Sequence, residues 1–201
     1  MPERPELRTE RLLLRRWRAA DRAAFAEMNA DREVMEYFPE PLPREESDAL
    51  VDRIEAGFEQ RGFGFWAVEL ADSSEFIGFT GLAVLGFEAH FTPAVEVGWR
   101  LKRSAWGHGY ATEAARAAVT YGFGDVGLRQ IVSFTPTDNM RSRAVMQRLG
   151  MTRDPADDFD YPRLPPGHPL RRLVLYRTSY DRWRAATLDA DQKQLVAKEP
   201  R

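Results

Sequence analysis

The sequence predicts a single mixed α/β domain, and three observations carry that prediction. Strand-like and helix-like segments interleave in the order β-α-α-β-β-β-α-β-α-β, the pattern of a mixed sheet covered by helices. Val95 to Leu101 alternates, with Val95, Val97, Trp99 and Leu101 on one face and Glu96, Gly98 and Arg100 on the other, and a glycine turn and a helix of small residues follow it. The 201 residues, 43% of them hydrophobic, suffice for one core. The expected domain covers residues 1–180, with 181–201 as a poorly ordered C-terminal tail.

Each element has a local reason. Arg8 to Trp17 holds an apolar centre, Leu12 to Leu14, bounded by charges, and reads as the first strand. Asp21 stands where it can cap a helix over Arg22–Ala30, whose stripe is Ala23, Ala24, Phe25 and Met28. Pro39, Pro41 and Pro43 mark an irregular loop. From Glu45 to Arg61 the apolar Leu50, Val51, Ile54 and Phe58 recur every three or four residues, and Gly62 and Gly64 supply a stop. Phe65–Leu70 and Phe76–Leu85, separated by Asp72-Ser73-Ser74, form an antiparallel hairpin. Gly98 within the next strand suggests a bulge, with simple close packing as the alternative. Ala111, Ala114, Ala115, Ala118, Val119 and Gly122 then form a narrow helical stripe that permits close packing on a sheet. Ile131–Thr135 is a strand, Asn139–Leu149 a helix closed by Gly150, and Leu173–Tyr180 a late strand. Asp154–Pro169, rich in Pro and Asp, reads as a long loop.

Composition removes several function classes. Lys and Arg number 29 against 31 Asp and Glu, a net charge of −2, so no basic field recommends nucleic acid or an anionic membrane as a partner. The chain has no Cys, which excludes disulfides, thiolate metal sites and Cys nucleophiles and fits a cytoplasmic location. His90, His108 and His168 are scattered without a metal-binding spacing, so no metal is expected. Phe76–Phe87 is the longest apolar stretch and falls short of the ~20 residues of a membrane span. The first eleven residues contain no apolar signal core.

Trp106-Gly107-His108-Gly109-Tyr110-Ala111 lies between a strand and a helix, where backbone N–H groups can converge on an anion such as a pyrophosphate. A glycine turn that merely reverses the chain is the alternative. A dinucleotide-binding fingerprint is incomplete, because the third glycine position is Thr112 and the only acidic candidate, Asp125, precedes the next strand. No P-loop pattern occurs.

The second segment, Asn139-x-x-Ser142-x-x-Val145-x-x-x-Leu149-Gly150, taken with W-G-H-G-Y-A, resembles the GNAT N-acetyltransferases, and within them the Rim-type branch that acetylates ribosomal-protein N-termini. The similarity runs from about Arg8 to Tyr180 and includes Thr9-Glu10-Arg11-Leu12-Leu13-Leu14-Arg15 and the E-V-G-W strand. Trp106 stands where Arg or Gln is commoner. The resemblance implies a mostly antiparallel sheet splayed between its fourth and fifth strands, around Glu96–Leu101 and Ile131–Thr135, with acetyl-CoA in the gap. It implies that Trp99 and Leu101 present backbone groups to the pantetheine, and that Trp106, Gly107, His108, Gly109, Tyr110, Ala111 and Thr112 hold the pyrophosphate. Asn139 and Ser142 complete the cofactor-binding set.

Acetyl transfer to an amine needs a base, polarisation of the thioester carbonyl and a proton for the departing thiolate. Many relatives place a Tyr acid seven residues after the helix Asn, but here that position is Met146. Ser142 is the replacement the branch suggests, with a helix-start hydroxyl as the alternative. Glu96 is the candidate base, with a structural pairing to Arg100 as the alternative, and His90, His168, Asp160 and Tyr161 are weaker candidates. The Tyr37–Pro43 and Asp154–Pro169 loops are expected to wall the acceptor cleft, with Asp157, Asp158 and Asp160 drawing a cationic amine or, as the alternative, forming only a solvated surface. The implied activity is direct transfer from acetyl-CoA to a primary amine, a small molecule or a protein N-terminus, by a monomer or homodimer. A catalytically silent acyl-CoA-binding module is the alternative that the missing Tyr leaves open.

Overall fold

The computed structural model describes residues 6–197. Among the described residues nine strands form one sheet: β1 (Leu7–Arg8), β2 (Leu12–Arg15), β3 (Phe65–Leu70), β4 (Phe76–Val84), β5 (Val95–Leu101), β6 (Gln130–Pro136), β7 (Thr152–Arg153), β8 (Phe159–Asp160) and β9 (Arg172–Ser179). Their order is β1-β2-β3-β4-β5-β6-β9-β7, with β8 also on β9, and every pairing is antiparallel except β5 with β6. The expected mixed, mostly antiparallel sheet is therefore present. Helices α1 (Asp21–Ala30), α2 (Arg44–Arg61), α3 (Tyr110–Gly124), α4 (Met140–Arg148) and α5 (Tyr180–Ala197) flank it. None of the described helices is long and apolar enough to cross a membrane.

The small-residue stripe of α3 is buried at Ala114, Ala115, Ala118, Val119 and Gly122. A Cβ on Gly122 would lie 2.9 Å from Leu82 Cδ1 and 3.0 Å from Ile131 Cδ1, so glycine lets these side-chain tips reach the helix without shifting. The main core beneath it includes Leu12, Leu14, Phe25 and Trp66, all fully buried, each worth about 1.5–3 kcal/mol of transfer free energy. A smaller cluster of Phe91, Val132, Phe159, Leu173 and Leu175 fills the far end of the sheet.

The structure corrects four expectations. The first strand is broken, because Thr9 turns the chain between β1 and β2 by bonding Leu12 N–H and carbonyl. Asp21 is not an N-cap: that position is Ala20, and Asp21 lies within the helix, accepting two bonds from the buried Arg15 guanidinium and one from Arg18 N–H. Gly98 is not a bulge, since β4 and β5 stay in register from Gly78↔Leu101 to Val84↔Val95. Close packing explains it instead, as a Cβ there would meet Phe65 Cε1 at 3.2 Å. On the Glu96–Gly98–Arg100 face of β5, Arg100 is buried, while Glu96 and Gly98 are half-buried and line the cleft. Finally, the segment from 181 does not begin as a loose tail: it continues β9 into α5, where Trp183 packs on Phe123 and Tyr180, and residues 198–201 lie outside the described residues.

Candidate active site

β5 and β6 run parallel but pair at one position, Glu96 with Val132. Beyond it each strand is held on its outer edge, β5 by β4 and β6 by β9, so the two part like a V. Lys102 N–H donates to Ile77 O of β4 at 2.8 Å, and because strand backbone groups alternate sides, those of Leu101 and Trp99 face the gap. One is engaged: Leu101 O accepts the Trp106 indole N–H at 3.0 Å, which fixes the start of the glycine turn.

That turn ends at α3. Gly107 and Gly109 both have φ +82°, which a side chain resists. No side chain caps α3, and its first intrahelical bond runs from Glu113 N–H to Gly109 O, so the N–H groups of Tyr110, Ala111 and Thr112 have no helical partner. Open space surrounds the Cβ direction of Gly107, and at Gly109 the nearest atom is Arg11 Nη2 at 3.6 Å. A diphosphate can therefore reach the main chain, at the end of a helix whose dipole favours negative charge. His108 stacks on Tyr110 with centroids 5.4 Å apart.

At the start of α4, Asn139 Oδ1 accepts Ser142 N–H at 3.1 Å and Asn139 Nδ2 donates to Thr135 Oγ1 at 2.9 Å. Asn139 is thus a helix cap tied back to β6. The Ser142 hydroxyl makes no hydrogen bond to the described residues and lines the cleft. Met146 is fully buried, so the position where many relatives carry a Tyr acid is part of the core.

Glu96 sits at the apex of the V. Its carboxyl has no hydrogen bond or ion pair with the described residues, and burial alone pushes its pKa up to about 7. The alternative pairing with Arg100 is not formed. Arg100 instead donates from Nη1 to Asn29 Oδ1 at 2.5 Å and lies under the Phe38 ring, 3.9 Å from its centroid.

The acidic loop is corrected too. Asp157 pairs with Arg177 and His90, Asp158 with Arg153, and Asp160 with Arg171 and Arg172, so the arginines offset these three carboxylates. His90 is thereby committed to Asp157, and the His168 ring nitrogen accepts Leu170 N–H at 3.1 Å. Tyr161 packs edge-on against Phe87 and lines the cleft.

Sequence reasoning missed Thr9 and Arg11 as residues that brace the glycine turn. Thr9 Oγ1 donates to Glu113 Oε1 at 2.6 Å, and Arg11 bonds both Glu113 and His108 O, so the β1–β2 turn grips the first turn of α3. The signal was the charged T-E-R ahead of the leucines, which strand formation alone does not require.

One continuous cleft of about 2260 Å³ joins the V, the glycine turn, the Phe38 loop and the Tyr161 loop. It is larger than the ~300–1,000 Å³ of a single small-ligand pocket and has room for two substrates. Residues 11–152 match the Acetyltransferase (GNAT) domain family. The FsC-acetyl coenzyme A-N(2)-transacetylase of Aspergillus fumigatus is 34% identical over 170 residues, 81% of this chain and 72% of that protein. An acetyltransferase of Agrobacterium tumefaciens superposes with a TM-score of 0.70 at 30% identity, over 87% of this chain and 94% of that one. RimL, a ribosomal alpha-N-protein acetyltransferase in complex with coenzyme A, shares the fold with a TM-score of 0.70 at 19% identity, over 89% and 99%. With the splayed strands, the uncapped glycine turn and these matches in agreement, the chain belongs to the GNAT family of acetyl-CoA-dependent N-acetyltransferases.

Proposed function

We propose that this chain acetylates the α-amino group of its acceptor by direct attack in a ternary complex, with Glu96 as base and Ser142 as acid. The observation that carries this reading is the unpaired Glu96 carboxyl at the point where β5 and β6 part, with a pKa of about 7. A base near 7 is matched to an α-amine, which titrates at ~7.7–8.0, far better than to a lysine side chain at ~10.4. The names of two relatives agree in kind, one an N(2)-transacetylase and the other an alpha-N-protein acetyltransferase.

Acetyl-CoA supplies the activated acyl group, and the chain holds and orients it. Gly107 to Thr112 offer N–H groups to the diphosphate, Trp106, His108 and Tyr110 shape the turn, and Trp99 and Leu101 offer strand-edge groups to the pantetheine amides. Asn139 positions α4 and, through it, Ser142. Glu96 takes the proton lost by the amine, directly or through one water, as the N–C bond forms. The Ser142 hydroxyl gives a proton to the sulfur as the C–S bond breaks, and water reprotonates it. The Tyr37–Pro43 loop and the Asp154–Pro169 loop wall the acceptor side.

Release of free CoA from acetyl-CoA, measured with peptides that have a free N-terminus and no lysine, tests this. The expected product carries one acetyl group on the N-terminal nitrogen, formed with intersecting initial-rate lines. Equal turnover of N-terminally blocked, lysine-containing peptides would overturn the α-amine assignment. Tight acetyl-CoA binding with no transfer to any amine would mark a silent binding module.

A further inference from the structure

Arg15 and Arg100 are both buried, 3% and 9% exposed, yet they are treated differently. Arg15 is matched by the carboxylates of Asp21 and Glu69. Arg100 has no carboxylate within ion-pair distance among the described residues. One nitrogen, Nη1, bonds the neutral amide of Asn29, which is itself held by the Ser47 hydroxyl at 2.8 Å, and Nε is buried with no partner. A buried guanidinium left without a counter-ion is costly, and burial lowers its pKa to about 10, which still leaves it charged at neutral pH.

The surroundings place this charge in the site. Arg100 lines the cleft, on the same face of β5 as Glu96 with only Gly98 between them, and the half-open ring of Phe38 covers its plane. The Asn29–Ser47 relay fixes Nη1, so the edge of the guanidinium that carries Nε, itself shut off from solvent, is the one without a partner. That is the edge a carboxylate takes in a side-on, two-bond pairing. Four residues of strand put the two Cα atoms ~13 Å apart. A carboxylate held at Arg100 is therefore several bonds away from an amine held at Glu96.

We propose that Arg100 is the counter-charge for an acceptor carboxylate, so that the preferred acceptor is an α-amine of peptide length bearing an acidic group near its amino end. The proposal rests on the α-amine reading above and adds what recognises the rest of the molecule. Phe38 shields the ion pair from water, and Asn29 with Ser47 sets the angle of the guanidinium.

The test uses the full chain and two matched peptide amides, Ala-Glu-NH2 and Ala-Gln-NH2, which differ by one charge. Wild type is expected to show at least a tenfold higher kcat/KM for the glutamate peptide. Arg100→Gln should reduce that ratio to within twofold, Arg100→Lys should keep part of it, and KM for acetyl-CoA should stay within twofold in both. Phe38→Ala, at a half-exposed site, should lower the ratio several-fold even if Arg100→Gln does not fold. Binding of the N-acetylated pair to the CoA-loaded protein, read by calorimetry, needs no catalysis. Discrimination there without turnover would keep the carboxylate site and remove the amine reaction. A wild-type protein that fails to distinguish the two peptides in binding, or an Arg100→Gln protein that still does, would overturn the proposal.

Discussion

Arg11 and Glu113, 102 residues apart in the chain, meet through Arg11 Nε and Glu113 Oε2 at 2.8 Å, with Arg11 Nη2 2.6 Å from the same oxygen. Arg11 also reaches His108 O at 3.0 Å and lies over the Tyr110 ring, 4.7 Å from its centroid. The turn that precedes the first long strand thus sets the geometry of the turn that opens α3. The turn proposed to hold the diphosphate is braced by a distant piece of sequence.

Arg11→Ala should raise the Kd for acetyl-CoA about three- to tenfold with kcat little changed, as read by calorimetry and initial rates. Its stability cost is small, because solvent screens an ion pair whose arginine is this exposed, so Tm should fall only slightly. The sign with pH follows from Glu113. Despite partial burial, its bonds from Thr9 and Arg11 hold its pKa below the usual carboxylate range. The stabilisation is present above the unfolded value of ~4.3 and is lost as pH falls through the folded one. The Tm difference between wild type and variant should therefore close in acid.

Gly109→Val should abolish acetyl-CoA binding in calorimetry while the protein still folds. The φ of +82° at Gly109 is one that a β-branched residue adopts only with strain, at a cost on the order of 1–3 kcal/mol, and the branched side chain would point where the diphosphate must approach. Gly109→Ala should show the same defect in weaker form, and near-wild-type affinity in both variants would remove the anion from this turn.

The periodic elements were legible because burial writes its pattern into sequence. The alternation at Val95–Leu101 and the alanine stripe of α3 could be placed without a structure, and so could Gly62 at the end of α2. What was not legible depends on partners far away in sequence. Asp21 looks like a helix cap until Arg15 and Glu69 are seen beside it. Asp157, Asp158 and Asp160 look like a negative field until Arg177, Arg153, Arg171 and Arg172 arrive from the neighbouring strands. Trp183 looks like part of a tail until Phe123 gives it a surface. Glu96 and Ser142 could be named from motif position, whereas their lack of protein partners is a property of the fold.

Asn139 and Ser142 should separate in a pair of variants. Loss of the cap in Asn139→Ala frees Ser142 N–H and Thr135 Oγ1, which costs ~1 kcal/mol, lowers Tm by a few degrees and raises KM for acetyl-CoA by letting the start of α4 move. Ser142→Ala removes a hydroxyl with no hydrogen bond to the described residues, so Tm should barely change, while kcat falls ~10²-fold if the hydroxyl protonates the sulfur. A kcat within threefold of wild type would leave water as the proton source.

Glu96→Gln joins catalysis and stability in one measurement. Burial raises the Glu96 pKa to about 7 in the folded protein, against ~4.3 when unfolded, so between those values the folded state binds more protons than the unfolded state. Stability is therefore fully present below the unfolded value, falls as pH rises through the window and levels off above about 7, a loss on the order of 3 kcal/mol. Glutamine cannot ionise, so the variant should unfold several degrees above wild type at pH 8, and that advantage should disappear near pH 4.5. Activity should move the opposite way. Wild-type kcat/KM should steepen by a further tenfold per pH unit below 7, as the base is protonated on top of the amine (~7.7–8.0), whereas the variant should lose at least ~10²-fold at pH 8 and keep only the amine's limb. Scanning calorimetry and pH–rate profiles on the same two proteins check both signs. A variant that is more stable at pH 8 yet keeps the wild-type pH–rate profile would leave Glu96 a buried acid in the cleft wall and transfer the role of base to another group.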